Sequence, residues 1–240
     1  MVGLPERGRI YEGERLVGGA DVDAAGRVRL NALARWLQEV AFADALDAGL
    51  PAQSAWIIRR TLISVERWPA FAERLTLKTF CSAIAKSVAD RRTSISGDRG
   101  GRVEAAGQWV QIDPETRRPL RFDERFLGLY AESASGRRAR SRLRHPAPDA
   151  AGESTEQLEW RFREADVDLV GHVNNTAYWQ IAEEFLDLSA MPEGARCDIE
   201  IEFRGGSVAG PATVLRGGAM LWVLDGTGEV SASISAEPGG

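Results

Sequence analysis

Cysteine and histidine are scarce in this chain of 240 residues, which contains only two of each. Cys81 and Cys197 lie far apart, so we expect two buried apolar residues rather than a disulfide or a zinc site. Without clustered Cys and His ligands a structural zinc site is disfavoured, and we expect neither a metal nor a cofactor.

Long apolar runs are also missing. No uncharged stretch approaches the ~20 residues that cross a bilayer. The first ten residues carry Glu6, Arg7 and Arg9, and they lack the apolar core of a signal sequence. The net charge of −5 disfavours a nucleic-acid partner. We therefore expect a protein without a membrane span, located in the reducing cytoplasm.

The densest group of polar side chains lies at residues 166–178, with the sequence DVDLVGHVNNTAY. It combines Asp168 and His172 with Asn174, whose side chain can accept the first free N–H groups of a helix. Apolar residues then recur at helical spacing: Tyr178, Ile181, Ala182 and Phe185. A carboxylate and an imidazole beside a helix N-terminus, where developing negative charge is favoured, indicate hydrolysis or acyl transfer.

The same pattern occurs once before. Residues 21–28 (DVDAAGRV) match residues 166–173 (DVDLVGHV) at an offset of 145 residues (166 − 21), and a helical pattern follows each. Arg27 takes the place of His172 in the first copy. This internal duplication predicts one chemical site and one supporting half.

The periodicity predicts an α+β protein in which each motif is followed by a helix and then by antiparallel strands. We predict domains at 1–132 and 155–240, joined by an Arg/Ala/Pro-rich linker at 133–154. Each sheet should wrap around its own central helix, and the two sheets should continue edge to edge. The tail at 236–240 is expected to fray.

Five stretches together resemble one family. They are LQEVA at 37–41, WIIRR at 56–60, RWP at 67–69, WVxI with TRR between 109 and 118, and DxxxHVNNxxY at 168–178. In order and spacing they are similar to the acyl-acyl-carrier-protein thioesterases over residues 8–210. The resemblance implies two tandem hotdog domains. It also implies hydrolysis of fatty acyl-acyl carrier protein to free fatty acid and carrier thiol, in fatty acid biosynthesis.

Carried over residue by residue, the family's catalytic aspartate falls on Asp168 and its histidine on His172. Val170 stands where the family often has asparagine. An acid and a thiol of the family fall on Gly206 and Ser207, so the acid is missing. Other carboxylates that could replace this acid are Glu202 and Glu184.

In the mechanism that this resemblance implies, His172 orients or deprotonates a water molecule. Asp168 holds His172 or positions that water. The backbone N–H groups from Gly171 to Val173 are expected to stabilise the oxyanion, and Asn174 is a substrate-positioning candidate.

The acyl chain and the carrier need surfaces of their own. The first domain lacks the histidine, so we expect the acyl pocket there, with Leu33 and Trp36 as candidate walls; plain core packing is the alternative that we favour for both residues. An acidic carrier should dock on basic residues, for which the candidates are Arg59, Arg60, Arg91, Arg92 and the linker arginines, including Arg138 and Arg140. The charge of the linker could equally serve solubility.

Other functions fit the same residues. A thioesterase acting on coenzyme A esters would use the same chemistry, and a non-catalytic acyl-binding protein could have lost the acid. A hotdog dehydratase also uses a histidine and a carboxylate. The duplication could satisfy domain pairing within one chain, so both a monomer and a homodimer remain open.

Overall fold

The computed structural model describes residues 1–50, 55–148, 156–186 and 195–239. These residues form three α-helices: α1 (Leu30–Asp47), α2 (Glu124–Ala134) and α3 (Tyr178–Phe185). They also form ten strands: β1 (Tyr11–Leu16), β2 (Ala55–Arg67), β3 (Arg74–Ile84), β4 (Val88–Gly97), β5 (Arg102–Ile112), β6 (Glu156–Phe162), β7 (Arg196–Phe203), β8 (Gly210–Gly217), β9 (Met220–Leu224) and β10 (Val230–Gly239). None of the described helices is both long and apolar enough to cross a membrane.

All the described strands join one antiparallel sheet in the order β1-β3-β4-β5-β2-β7-β10-β9-β8-β6. The two halves meet where β2 pairs with β7, with Ile63 opposite Ile199. This pairing confirms that the two sheets continue edge to edge. It also removes one exposed edge from each half.

Both helices that follow the motif pack on one face of this sheet. The strand β7 shows how the sequence produces that face, because its residues alternate between the two sides. Ile199 and Ile201 are buried in the core shared with α1 and α3, whereas Glu200 and Glu202 face the other side. α1 also packs against α3. The central helices are therefore covered by one curved sheet and by each other.

The backbone–backbone hydrogen bonds of the motif recur in both copies. The N–H of Asp23 donates to the carbonyl of Arg27, and the N–H of Asp168 donates to that of His172. Gly26 and Gly171 both have positive φ, of 78° and 81°. Only glycine adopts this conformation at little cost, which explains why it occupies both positions. The two copies are therefore the same turn with different side chains on it.

The helix α2 was not foreseen from the sequence. Its signals were present, since Asp123 accepts the N–H of Phe126 as an N-cap, and Phe126 and Tyr130 are spaced as on one helical face. The helix ends at Ala134, so the linker predicted at 133–154 begins two residues too early.

After α2 the chain adheres to the outer face of the sheet. The carbonyl of Arg140 accepts from Gln108, the N–H groups of Arg144 and His145 donate to Glu202, and Trp222 donates to the carbonyl of Pro146. The linker is thus bound to the sheet as far as Pro146. Its last part, 149–154, lies outside the described residues.

The expected fraying of the tail is wrong up to residue 239. The strand β10 continues through Ala236 and Glu237, which pair with Ile199 and Asp198 of β7. Because β10 lies between β7 and β9, this end of the chain is held on the inside of the sheet.

Candidate active site

Asp168 organises the turn that carries His172. Its Oδ1 accepts the N–H of Val170 at 3.0 Å, and its Oδ2 lies 3.5 Å from Nδ2 of Asn174. In the first copy Asp23 makes the corresponding bond to the N–H of Ala25. The carboxylate therefore stabilises the turn in both copies. Any role in the chemistry of the second copy comes in addition to this.

Two of the expected oxyanion donors, the N–H groups of Gly171 and Val173, must be corrected. The N–H of Gly171 donates to the carbonyl of Asp168, and that of Val173 donates to the carbonyl of Ser207. The N–H of Asn174 is also used, by Asp166. These groups stabilise the turn, so they cannot serve a substrate in this conformation.

A donor does exist one residue further on, at the start of the short helix Asn175–Ala177 that leads into α3. Asn174 is the N-cap, as predicted, and its Oδ1 accepts the N–H of Thr176 at 2.9 Å. Within the described residues, the N–H of Asn175 has no acceptor. The N–H of Asn175 at this helix start therefore remains available for a ligand, as does the N–H of His172 within the described residues.

The imidazole of His172 lies against Gly206, the residue after β7 where the resembling family has an acid. A Cβ placed on Gly206 would be 3.0 Å from Cδ2 of His172 and 3.5 Å from Nε2. The two positions are thus neighbours in space, as the motif comparison implied. The chain offers no carboxylate at this point of contact.

Ser207, the position of the family's thiol, is buried beneath the motif. Its hydroxyl accepts a hydrogen bond from Tyr178 at 2.8 Å, and its carbonyl accepts from Val173. Both bonds tie the end of β7 to the motif and to α3. Val170, by contrast, is exposed, and Leu169 before it is fully exposed.

Glu202 does not replace the missing acid. It lies on the outer face of the sheet, fully buried, where its two oxygens accept the N–H groups of Arg144 and His145 at 2.6 and 3.0 Å. Glu184 is exposed on α3. Neither alternative carboxylate is therefore placed beside His172.

The same outer face holds a group of possible metal ligands, His145, Glu200 and Glu202, whose ligating atoms lie within 4.8 Å of one another. The oxygens of Glu202 already accept backbone N–H groups. The ring nitrogens of His145 lie 3.0 and 3.2 Å from the hydroxyls of Ser233 and Ser235. This cluster fastens the linker segment to β7 and β10.

A pocket opens between the two halves. Its lining includes Gln38 from α1, Ile58 from β2, Trp109 from β5, and Asn175 and Trp179 from the second half. It thus combines the interior of the first domain with the free helix start after His172.

Core packing, the favoured expectation for Leu33 and Trp36, is confirmed, and these residues are not walls of this pocket. Leu33 and Trp36 are fully buried core residues on another side of α1, and the helix turns Ala34, Leu37 and Gln38 towards the pocket instead. The pocket itself does involve the first domain, as expected.

Arg91 gives one side of the pocket a buried charge. Its Nη1 donates to Oδ2 of Asp44 at 2.7 Å, and its side chain is only 14% exposed. Asp44 also binds Arg9 and the hydroxyl of Tyr130. Burial, and then the carboxylate of Asp44, raise the pKa of Tyr130 to about 12 against the opposing effect of Arg91.

The structure separates the candidate docking arginines. Arg91 and Arg92 are paired with Asp44 and Glu104 and are not part of an open surface. Arg60 is half-buried, 3.7 Å from Glu200. Arg59 is half-buried too, whereas four linker arginines are exposed: Arg138, Arg140, Arg142 and Arg144.

Comparison with known proteins identifies relatives along most of the chain. Residues 8–130 match the model of the acyl-ACP thioesterase N-terminal domain, and residues 149–210 match that of the C-terminal domain. An uncharacterized protein of Mycobacterium tuberculosis is 28% identical over 187 residues, covering 78% of this chain and 74% of its own. Oleoyl-acyl carrier protein thioesterase 2, chloroplastic, of Arabidopsis thaliana is 24% identical over 77% of this chain, but only 57% of the plant protein is covered.

Solved structures share the architecture at lower identity. The 12:0-ACP thioesterase from Umbellularia californica superposes with a TM-score of 0.73 at 17% identity, over 99% of this chain and 100% of the other. At this identity the likeness establishes the fold. The expected α+β fold of two tandem hotdog domains is confirmed.

Proposed function

This chain belongs to the acyl-ACP thioesterase family, and we propose that it hydrolyses a fatty acyl-acyl carrier protein to free fatty acid and carrier thiol. His172 is the general base, and the N–H of Asn175 receives the carbonyl oxygen. The acyl chain occupies the pocket between the halves. The reaction needs no cofactor.

One observation carries this proposal. The duplicated turn keeps its backbone bonds in both halves, yet only the second copy carries an imidazole, and that copy leads into a helix start with an available N–H that lines a pocket. Two copies of one turn, of which only one carries a histidine, are what we expect of a protein with a single catalytic site. The pocket is where the substrate of such a site would bind.

The chemistry follows from these positions. His172 accepts a proton from water while the water oxygen attacks the carbonyl carbon, and the carbonyl electrons move onto oxygen. The N–H of Asn175, at the positive end of the helix dipole, stabilises that oxyanion. The intermediate then expels the thiolate, which takes the proton from His172. The products are a carboxylic acid and a thiol.

Two residues, Asp168 and Gly206, determine how His172 can act. Asp168 holds the turn by accepting the N–H of Val170, and we propose that its negative charge also stabilises the positive charge that the ring gains during attack. Gly206 leaves one side of the ring without the acid that the family pattern provides there. We therefore assign general-base catalysis to His172, with Asp168 as the carboxylate of the same turn.

The carrier is proposed to dock on the linker arginines. Arg138 and Arg140 are exposed and close in sequence to two further exposed arginines, and an acidic carrier would be attracted to such a strip. Cys81 and Cys197 are buried free thiols, and a cytoplasmic location is part of the proposal.

The test compares hydrolysis of palmitoyl- and octanoyl-acyl carrier protein with that of the matching coenzyme A esters, at low and high salt. We expect faster turnover of carrier-bound substrate, with a KM that rises with salt because screening weakens the docking. Faster turnover of coenzyme A esters would assign the chain to acyl-CoA hydrolysis. Acyl binding without turnover of either substrate would show that the chain is a non-catalytic acyl-binding protein.

A further inference from the structure

A helix follows each copy of the motif, and the N-termini of these two helices face different side chains. In the first half, the N–H of Leu30 at the start of α1 donates to Oε1 of Glu183 on α3, at 2.6 Å. At the same offset of 145 residues, Asn175 corresponds to Leu30 and Gln38 corresponds to Glu183. Gln38 and Asn175 line the same pocket. The pocket thus holds the two residues that correspond to the crossed pair of the first half, with an amide in place of the carboxylate.

The first half, in which Glu183 occupies the helix start, shows which kind of atom this arrangement binds. An oxygen atom presented from the opposite helix sits on the first N–H of α1, at a normal hydrogen-bond distance for a charged acceptor. The carboxylate of Glu183 closes that helix start to any other acceptor. In the second half, the N–H of Asn175 has no such partner within the described part of the chain.

The exchange of carboxylate for amide also changes the available hydrogen bonds. An ionised carboxylate only accepts, whereas an amide side chain offers two N–H donors. A carboxylate at position 38 would therefore compete with a substrate carbonyl for Asn175 and repel its oxygen. An amide at this position can donate to the same oxygen instead.

We propose that Gln38 is a further catalytic residue, whose side-chain amide and the N–H of Asn175 together donate to the carbonyl oxygen of the bound thioester. This inference rests on the proposed thioesterase function. The oxygen would be held between the two halves, one donor coming from each. The first half is silent because Glu183 fills the equivalent place, in addition to having Arg27 in place of the histidine.

The neighbouring lining fits an acyl thioester held in this way. Leu37, Ile58 and Trp109 belong to the same pocket and provide apolar surface for the chain attached to the carbonyl carbon. His172 precedes Asn175 by three residues on the turn that starts the helix, so the base and the donor belong to one rigid unit.

The test begins with Gln38→Met, which keeps the shape of the side chain and removes its donors. We expect kcat to fall by about 100- to 1,000-fold, the usual effect of losing one oxyanion donor, while KM changes only a few-fold. Glu183→Gln is the matched control in the silent half, and its kcat should stay within about threefold of the unmodified chain. Thermal unfolding of each variant monitors the fold.

Gln38→Glu provides a readout that packing alone would not change. Below the pKa of the introduced carboxyl group, the protonated form regains a donor; above it, the anion occupies Asn175. The ratio of kcat in Gln38→Glu to kcat in Gln38→Met should therefore rise as the pH falls. Comparing the two variants removes any pH dependence that they share. Burial raises the pKa of the counterpart Glu183, which favours a rise at accessible pH.

The outcomes separate this inference from the function on which it rests. Normal kcat in Gln38→Met, together with an inactive His172→Ala, would overturn the role of Gln38 and leave the thioesterase function standing. A pH-independent ratio would reduce Gln38 to a packing residue. Equal losses in Gln38→Met and Glu183→Gln would contradict the assignment of the active half. If the unmodified chain hydrolysed neither the carrier nor the coenzyme A thioesters, both proposals would fall.

Discussion

The imidazole of His172 packs against Gly206 so closely that a Cβ at that position would lie 3.0 Å from the ring. This contact joins the motif to the end of β7 at the point where the family pattern has an acid. The orientation of the proposed base therefore depends on the absence of a side chain from residue 206.

Gly206→Ala should move the ring and lower kcat by about tenfold, because displacing a catalytic group by less than an ångström already costs rate. The matched control is Gly205→Ala, since a Cβ on Gly205 would meet nothing within 4 Å. Steady-state kinetics of the two variants test the contact. Equal kcat values would show that the ring position is not limiting.

Asp168→Asn should lower kcat by at least about 100-fold with little loss of stability. The amide oxygen of asparagine can still accept the N–H of Val170, so the turn is kept and only the charge is removed. Asp23→Asn makes the same change in the copy without histidine and should leave kcat within about twofold. If both variants turned over normally, Asp168 would have a structural role alone.

Glu202→Leu should destabilise the protein by about 2–3 kcal/mol without lowering kcat, because the N–H groups of Arg144 and His145 lose their buried acceptors. Glu200→Gln, on the same strand and face, should cost less than about 1 kcal/mol, as expected for partly exposed pairs. Chemical denaturation measures both. A loss of turnover at unchanged stability would return Glu202 to the catalytic machinery.

Stability should fall as the pH rises from about 10 to about 12, in part through Tyr130. Its pKa in the folded protein is about 12, above the ordinary value of about 10. The folded state therefore holds this proton more tightly, and the stabilisation is present below pH 10 and lost as the pH approaches 12.

The variant Tyr130→Phe isolates this contribution. It should be less stable at neutral pH, since it lacks the hydrogen bond to Asp44, and its disadvantage should shrink between pH 10 and 12. Cys81 and Cys197, whose pKa values burial raises to about 11, titrate in both proteins and cancel in the comparison. A constant difference across this range would contradict the assignment.

Much of the fold can be predicted from the sequence because the strongest sequence signals are local. The alternation in β7, the glycine at 171 and the cap at Asn174 each act within a few residues, and the structure confirms them. The duplication extended these signals to the pairing of two similar halves. The helix α2 had comparable signals at Asp123 and Phe126, which the prediction overlooked.

The details of the site depended on contacts between distant segments. Sequence spacing placed Gly171 and Val173 beside a possible oxyanion, but could not show that Val173 donates to Ser207, more than thirty residues away. Leu33 and Gln38 are both compatible with a helix that buries only one face. Only the packing of α1 against α3 decides which of them lines the pocket.

The most direct test of the central claim is the rate of thioester hydrolysis by the unmodified chain and by His172→Ala, on octanoyl-acyl carrier protein at equal enzyme concentration. The account predicts turnover by the unmodified chain and a loss of at least about 100-fold in the variant, with an unchanged unfolding temperature. Equal rates in the two proteins would contradict it.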